Sequence, residues 1–69
     1  MDYLVIIEKE KGTYGAYVPD LPGCVAVAKT KVRVKKLIQE AISFHLEGMR
    51  SQGQRVPRPR TEYELIHAQ

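Results

Sequence analysis

The sequence has few of the residues that staple a small fold or catalyse reactions. Its 69 residues include one cysteine, two histidines and no tryptophan. The lone Cys24 forms no internal disulfide, and His45 and His67 make no metal-ligand cluster. A domain of this length buries only about 60% of its unfolded surface. These absences exclude a disulfide-rich or zinc-stapled fold, and they favour stabilisation by self-association.

Long apolar runs are also absent. The run Tyr3–Ile7 is far shorter than the ~20 residues that cross a bilayer, and no signal peptide precedes it. A single thiol is typical of a reducing compartment, which predicts a cytoplasmic protein without a membrane segment. The formal net charge of +3 permits contact with nucleic acid or an acidic partner but does not require either.

The stretch from Tyr14 to Cys24 organises the chain. It starts with residues suited to a strand, and Pro19 then removes a backbone donor and ends the pairing. Pro22 and Gly23 predict a type II turn, because proline fixes the first central φ and glycine takes a positive φ at the second. We therefore expect a sharp corner between a hairpin and a strand followed by a helix.

Hydrophobic alternation predicts four strands, and helical periodicity predicts one long helix. Thr30 is the expected N-cap of the helix and Gly53 its C-terminal cap. The predicted strands are Met1–Glu10, Thr13–Val18, Cys24 or Val25 to Ala28, and 62–66, and the helix spans Lys31–Gln52.

These elements predict an α+β domain of β-β-β-α-β order. A fourth strand parallel to the first gives the sheet order 3-2-1-4, which explains why the first strand is apolar on both faces. One helix covers only one face of such a sheet. Because the second face would be left uncovered, we predict a homodimer or higher homo-oligomer.

The candidates for catalysis are weak. Glu8 and Glu10 share a strand face but lie at a solvated hairpin end, and Asp20 is expected to bond nearby backbone amides. Cys24 and His45 have no evident orienting third group, so a buried thiol and an interior or interface histidine are the favoured interpretations. We therefore predict no enzymatic activity, no metal and no cofactor.

Two basic clusters suggest another function. One lies at the helix start, where cations oppose the helix dipole, and the other lies on a proline-containing connector. Solvated surfaces are the commoner outcome, but contact with phosphates or with an acidic partner is an open alternative. Nucleic-acid contact is predicted for Lys35 and Lys36 of the first cluster and for Arg58 and Arg60 of the second.

The corner, helix and proline-rich exit together resemble the HicB family, the antitoxins of HicA/HicB toxin–antitoxin pairs. The resemblance spans nearly the whole chain, in the family's order and spacing. It is carried by Tyr14-x-Ala16-Tyr17-Val18-Pro19-Asp20-Leu21-Pro22-Gly23-Cys24, Glu40-Ala41-Ile42, His45-Leu46-Glu47-Gly48 and Val56-Pro57-x-Pro59.

This resemblance implies a partial RNase H-like domain that has lost its catalytic carboxylates. It also implies binding to a HicA-type toxin, which cleaves mRNA, and neutralisation by covering its catalytic histidine or RNA face. A single domain over residues 1–69 leaves no room for a C-terminal DNA-binding module. A solitary homologue without a toxin, or a nucleic-acid-binding module using the basic clusters, are the alternatives. The expected partner contacts are Tyr17, Pro19, Asp20, Leu21 and Pro22.

Overall fold

The computed structural model describes residues 1–69 as a three-stranded antiparallel sheet crossed by one helix. The central strand β2 pairs with β1 on one side and β3 on the other. Tyr17 of β2 lies opposite Ile6 of β1 and Val25 of β3, which sets the register. The elements are β1 Ile6–Glu10, β2 Thr13–Tyr17, β3 Val25–Ala28 and α1 Lys31–Ser51.

A two-residue turn at Lys11 and Gly12 joins β1 to β2. Both residues have positive φ, 48° and 78°, as a type I′ turn requires. This turn matches the right-handed twist of the two strands. The hairpin predicted from the sequence is confirmed, although lysine rarely occupies the left-handed region.

Helix α1 has the predicted caps at both ends. The Thr30 hydroxyl accepts a hydrogen bond from the Arg33 amide at 3.1 Å. At the other end Gly53 has φ of 72°, and its amide donates to the Arg50 carbonyl at 3.0 Å. The next amide, that of Gln54, donates to Met49 at 2.8 Å, which completes a Schellman motif.

The core lies between the inner face of the sheet, the corner and the first half of α1. The helix packs over β3 and β2 rather than over β1. Tyr3, Val5 and Ile7 pack against one edge of the core, and Ile42 and Leu46 against another. The buried side chains are Ala16, Val18, Leu21, Cys24, Val34 and Ile38.

The prediction of a four-stranded sheet in the order 3-2-1-4 is wrong. β1 is an edge strand that starts at Ile6, and residues 62–66 form no strand. The chain before them is held by side chains, with the Pro57 carbonyl bonded to Tyr3 and the amides of Arg60 and Thr61 bonded to Asp20, and residues 62–66 beyond this point are exposed. No backbone hydrogen bond joins residues 1–5 to residues 62–66.

The outer face of the sheet is uncovered. Val25 and Val27 of β3 are 62% and 64% exposed, and Tyr17 beside them is 39% exposed. Ile6 pairs with Tyr17 and lies on this same face, because side chains of paired residues share a face. The helix therefore shields one side of the sheet only. No helix in the structure is long and apolar enough to span a membrane.

Candidate functional site: the corner and the C-terminal segment

The corner between β2 and β3 is closed by its own backbone hydrogen bonds. The Leu21 amide donates to the Val18 carbonyl and the Cys24 amide to the Leu21 carbonyl, each at 3.0 Å. The Val18 amide donates to the Cys24 carbonyl at 3.2 Å and joins the two ends of the loop. Gly23 has φ of 84°, as the predicted type II turn requires. The corner is thus a closed loop with little freedom to change shape.

The inner side of the corner belongs to the core. Leu21 is fully buried, and Val18 and Cys24 lie beside it in the same cluster. Burial raises the pKa of the Cys24 thiol, so the thiol stays protonated at neutral pH and is a poor nucleophile. His45 is half-buried on the second half of the helix. The structure therefore assigns Cys24 a packing role.

The Asp20 carboxylate holds the C-terminal segment against the corner. One oxygen accepts hydrogen bonds from the amides of Arg60 and Thr61 at 2.9 and 3.0 Å. The other accepts from the Thr61 hydroxyl at 2.6 Å. The sequence predicted partners next to Asp20, but the partners lie 40 and 41 residues away along the chain. We call this set of bonds the Asp20 latch.

The latch favours the charged carboxylate. Hydrogen bonds from the Thr61 hydroxyl and then from the Arg60 and Thr61 amides lower the pKa of Asp20 below its usual value of 3.8. The Arg60 guanidinium adds little, because its Nε is 4.0 Å from the carboxylate and its side chain is 90% exposed. Backbone and hydroxyl donors, rather than an ion pair, therefore fix the segment.

A second attachment lies three residues before the first residue of the latch, Arg60. The Tyr3 hydroxyl donates a hydrogen bond to the Pro57 carbonyl. Pro57 joins Pro19 and Pro22 in an open groove beside the corner, with Arg58 and Arg60 on its rim. The groove combines rigid proline walls with two guanidinium groups.

The structure places the predicted contact residues in three environments. Tyr17 lies on the outer face of the sheet, whereas Pro19 and Pro22 line the groove with Asp20. Leu21 points into the core and supports the corner from inside. The corner therefore offers its prolines, rather than all five predicted residues, on a single surface.

The two basic clusters line different hollows. Lys36 lies on the helix beside Gln39 and Glu40, whereas Arg58 and Arg60 line the groove at the corner. Contact of Lys35, Lys36, Arg58 and Arg60 with nucleic acid stays a prediction.

The carboxylates are dispersed. Glu8 and Glu10 line a shallow hollow beside the hairpin turn, together with Lys11. No group of three or more histidine, cysteine, aspartate or glutamate side chains is placed to hold a metal ion. Asp20, the most constrained acid, is engaged in the latch.

Sequence reasoning missed two features of the site. It did not connect Asp20 to Thr61, because a contact between residues 41 positions apart leaves no local pattern. It also passed over Phe44, the sole phenylalanine, which is 79% exposed on the outer side of the helix. Here a signal existed, since an aromatic residue on an otherwise polar helix face is uncommon.

Comparison with known proteins gives a consistent result. Residues 3–69 match the family model described as HicB_like antitoxin of bacterial toxin-antitoxin system. A UPF0150 protein of Thermoplasma acidophilum is 41% identical over 69 residues, which cover 99% of this chain and all of that protein. An uncharacterised 14.9 kDa protein of Haemophilus phage HP1 is 40% identical over 84% of this chain and 44% of its own length.

One solved structure is also similar. It is a chain of a HicA3 and HicB3 toxin-antitoxin complex, with a TM-score of 0.73 and 28% sequence identity. The match covers 87% of this chain and 70% of that chain.

Proposed function

This chain belongs to the HicB-like antitoxin family, and on that premise we propose that it binds and neutralises a HicA-type toxin by steric occlusion. It does so in the cytoplasm and without chemistry of its own. The observation that carries the proposal is the structural similarity to a chain of a HicA3–HicB3 complex. Occlusion needs only a rigid surface that covers the toxin's catalytic histidine or its RNA-binding face.

The corner supports this proposal physically. Its closed hydrogen-bond loop and its prolines reduce the conformational entropy lost when a partner binds. Pro19, Asp20 and Pro22 line the groove, Leu21 holds the corner to the core, and Tyr17 precedes the corner on the outer face of the sheet. We propose that these five residues form or support the partner contact.

Co-expression tests the function. The reading frame beside this chain's gene is expressed alone and together with the chain, with cell growth and mRNA integrity as readouts. We expect a small basic toxin whose expression arrests growth, and we expect the chain to restore growth and protect mRNA. A neighbouring toxin that still arrests growth and cleaves mRNA in the presence of the chain contradicts the proposal.

We further propose that two copies associate through the uncovered face of the sheet. Val25, Val27 and Tyr17 form its exposed apolar side chains, and a small domain with a marginal core gains stability when such a face is covered. Sedimentation of the wild-type chain at micromolar concentration is expected to give a dimer or higher oligomer. Val27→Lys should give a monomer, while Val32→Lys, at an exposed helix position, should not. A stable wild-type monomer contradicts the dimer.

A further inference from the structure

Two large apolar side chains are exposed on the helix, one in its first turn and one in its second half. Val32 in the first turn is 81% exposed, and Phe44 in the fourth turn is 79% exposed. Neither contributes to the core. Phe44 exposes more apolar surface than an alanine or a valine does. Burying it against a partner would therefore gain more free energy.

The net charges around the two side chains are opposite. Phe44 shares a hollow of the helix face with Glu40 and Glu47, four residues before it and three after it, and with one cation, Lys36. Neither carboxylate has a cation within 4.0 Å, since the one ion pair of the structure joins Arg60 to Asp20. Around Val32 the charged residues are all basic, namely Lys29, Lys31, Arg33, Lys35 and Lys36.

The surface around Phe44 also reaches the corner. Phe44 lines a second hollow together with Pro22, His45 and Met49. The helix face and the corner loop therefore meet at Pro22, and a partner seated on one touches the other.

We propose that Phe44, with Glu40 and Glu47 beside it, is the anchor onto which the cationic face of the toxin docks. The inference rests on the function proposed above. Aromatic side chains that become buried at the centre of an interface are often the energetically dominant contacts, and charged residues lie at the rim around them. The two carboxylates repel the phosphates of nucleic acid and attract a basic protein surface. The basic half of the helix repels that same surface, which fixes the orientation of the partner.

The test measures binding of the neighbouring toxin, purified as a variant of its catalytic histidine, to the full chain. Phe44→Ser is expected to weaken the affinity by about 30-fold, the loss typical of a dominant contact. Val32→Ser is the matched control, because it removes an equally exposed apolar side chain from the same helix; we expect a change within about twofold. Both variants should unfold at the wild-type temperature or above, since neither side chain packs in the core.

A charge variant tests the electrostatic part. Glu40→Lys combined with Glu47→Lys is expected to weaken binding by about tenfold at low salt and to abolish the decline of wild-type affinity with ionic strength. Glu62→Lys combined with Glu64→Lys, on the exposed C-terminal residues, is the control. It should leave the affinity and its dependence on ionic strength unchanged.

The outcomes separate the two proposals. If the wild-type chain does not bind the toxin, the proposed function fails and this inference fails with it. If the wild-type chain binds and Phe44→Ser binds equally well, only the Phe44 site is wrong. Loss of toxin binding in Val32→Ser instead, or loss of self-association alone in Phe44→Ser, also overturns it.

Discussion

A single carboxylate connects the corner to the end of the chain. Asp20 accepts three hydrogen bonds from two residues of the C-terminal segment, and each bond favours its ionised form. The folded state therefore binds a proton at Asp20 less tightly than the unfolded state does. Stability from the latch is complete above the ordinary carboxyl pKa of 3.8 and is lost as the pH falls through the lower pKa of the folded state.

Asp20→Asn should remove this dependence on pH. Asparagine keeps one acceptor oxygen but carries no charge, so we expect a lower urea midpoint at pH 7 and a smaller decline toward acid. The amides of Arg60 and Thr61 should exchange with solvent several-fold faster. Asp2→Asn, at an exposed carboxylate, is the control and should behave as the wild type does. Equal acid sensitivity of wild type and Asp20→Asn would show that the latch is not the source.

Lys11 carries backbone strain. Its φ of 48° lies in the left-handed region, where lysine lacks the local hydrogen bonding that makes asparagine tolerant. Lys11→Asn should raise the free energy of unfolding by about 0.5–1 kcal/mol, measured by urea denaturation. Lys29→Asn, at an exposed residue without positive φ, should change it little. A gain of the same size in both variants would point to charge rather than to the backbone.

At the scale of the element, a glycine within the helix and the glycine that follows it as a cap should respond to substitution in opposite directions. Gly48 lies within α1, and a Cβ there would meet no atom within 4 Å, so Gly48→Ala should stabilise the protein by up to about 1 kcal/mol. Gly53 has φ of 72° at the C-terminal cap, so Gly53→Ala should destabilise it by about 1 kcal/mol. Thermal unfolding measures both, and a shift of the same sign in the two variants contradicts this account of the cap.

The elements that the sequence predicted correctly are those fixed by local interactions. Thr30 and Gly53 bound the helix through contacts within four residues of each. The hairpin and the Pro22–Gly23 turn follow from backbone preferences of the same short range. The fourth strand failed because alternation in residues 62–66 is a local pattern, whereas a strand also needs a distant partner. The chain before it is held by the side chains of Tyr3 and Asp20, and residues 62–66 make no backbone hydrogen bond to residues 1–5.

The candidate site was likewise predictable only where local sequence determines it. The corner followed from its prolines and glycine, and the resemblance to HicB proteins is confirmed by the family match. Which corner residues face a groove and which face the core depends on how the helix packs, so Leu21 and Pro22 were not distinguished. Phe44 was missed because helical periodicity identifies the buried face of the helix and does not show which exposed side chains bind a partner.

At the scale of the whole molecule, the C-terminal segment is hydrogen-bonded at two points and exposed beyond them. Residues 62–69 are all exposed, whereas Val56, Pro57 and Thr61 are half-buried. A chain ending at Thr61 should therefore unfold within about 0.5 kcal/mol of the full chain. A chain ending at Gly53 loses the bonds from Tyr3 and Asp20, and its urea midpoint should fall several times further. Equal midpoints would show that the segment contributes nothing.

The groove beside the corner couples binding there to the attachment of the C-terminal segment. It is lined by Pro19 and Pro22 of the corner and by Pro57 and Arg60 of the segment, so a ligand in it contacts both. We expect such a ligand to bind more tightly when the Asp20 carboxylate holds the segment, and by linkage to favour that arrangement by an equal free energy. A protease that cuts between the helix and Thr61 should therefore act more slowly when the groove is occupied.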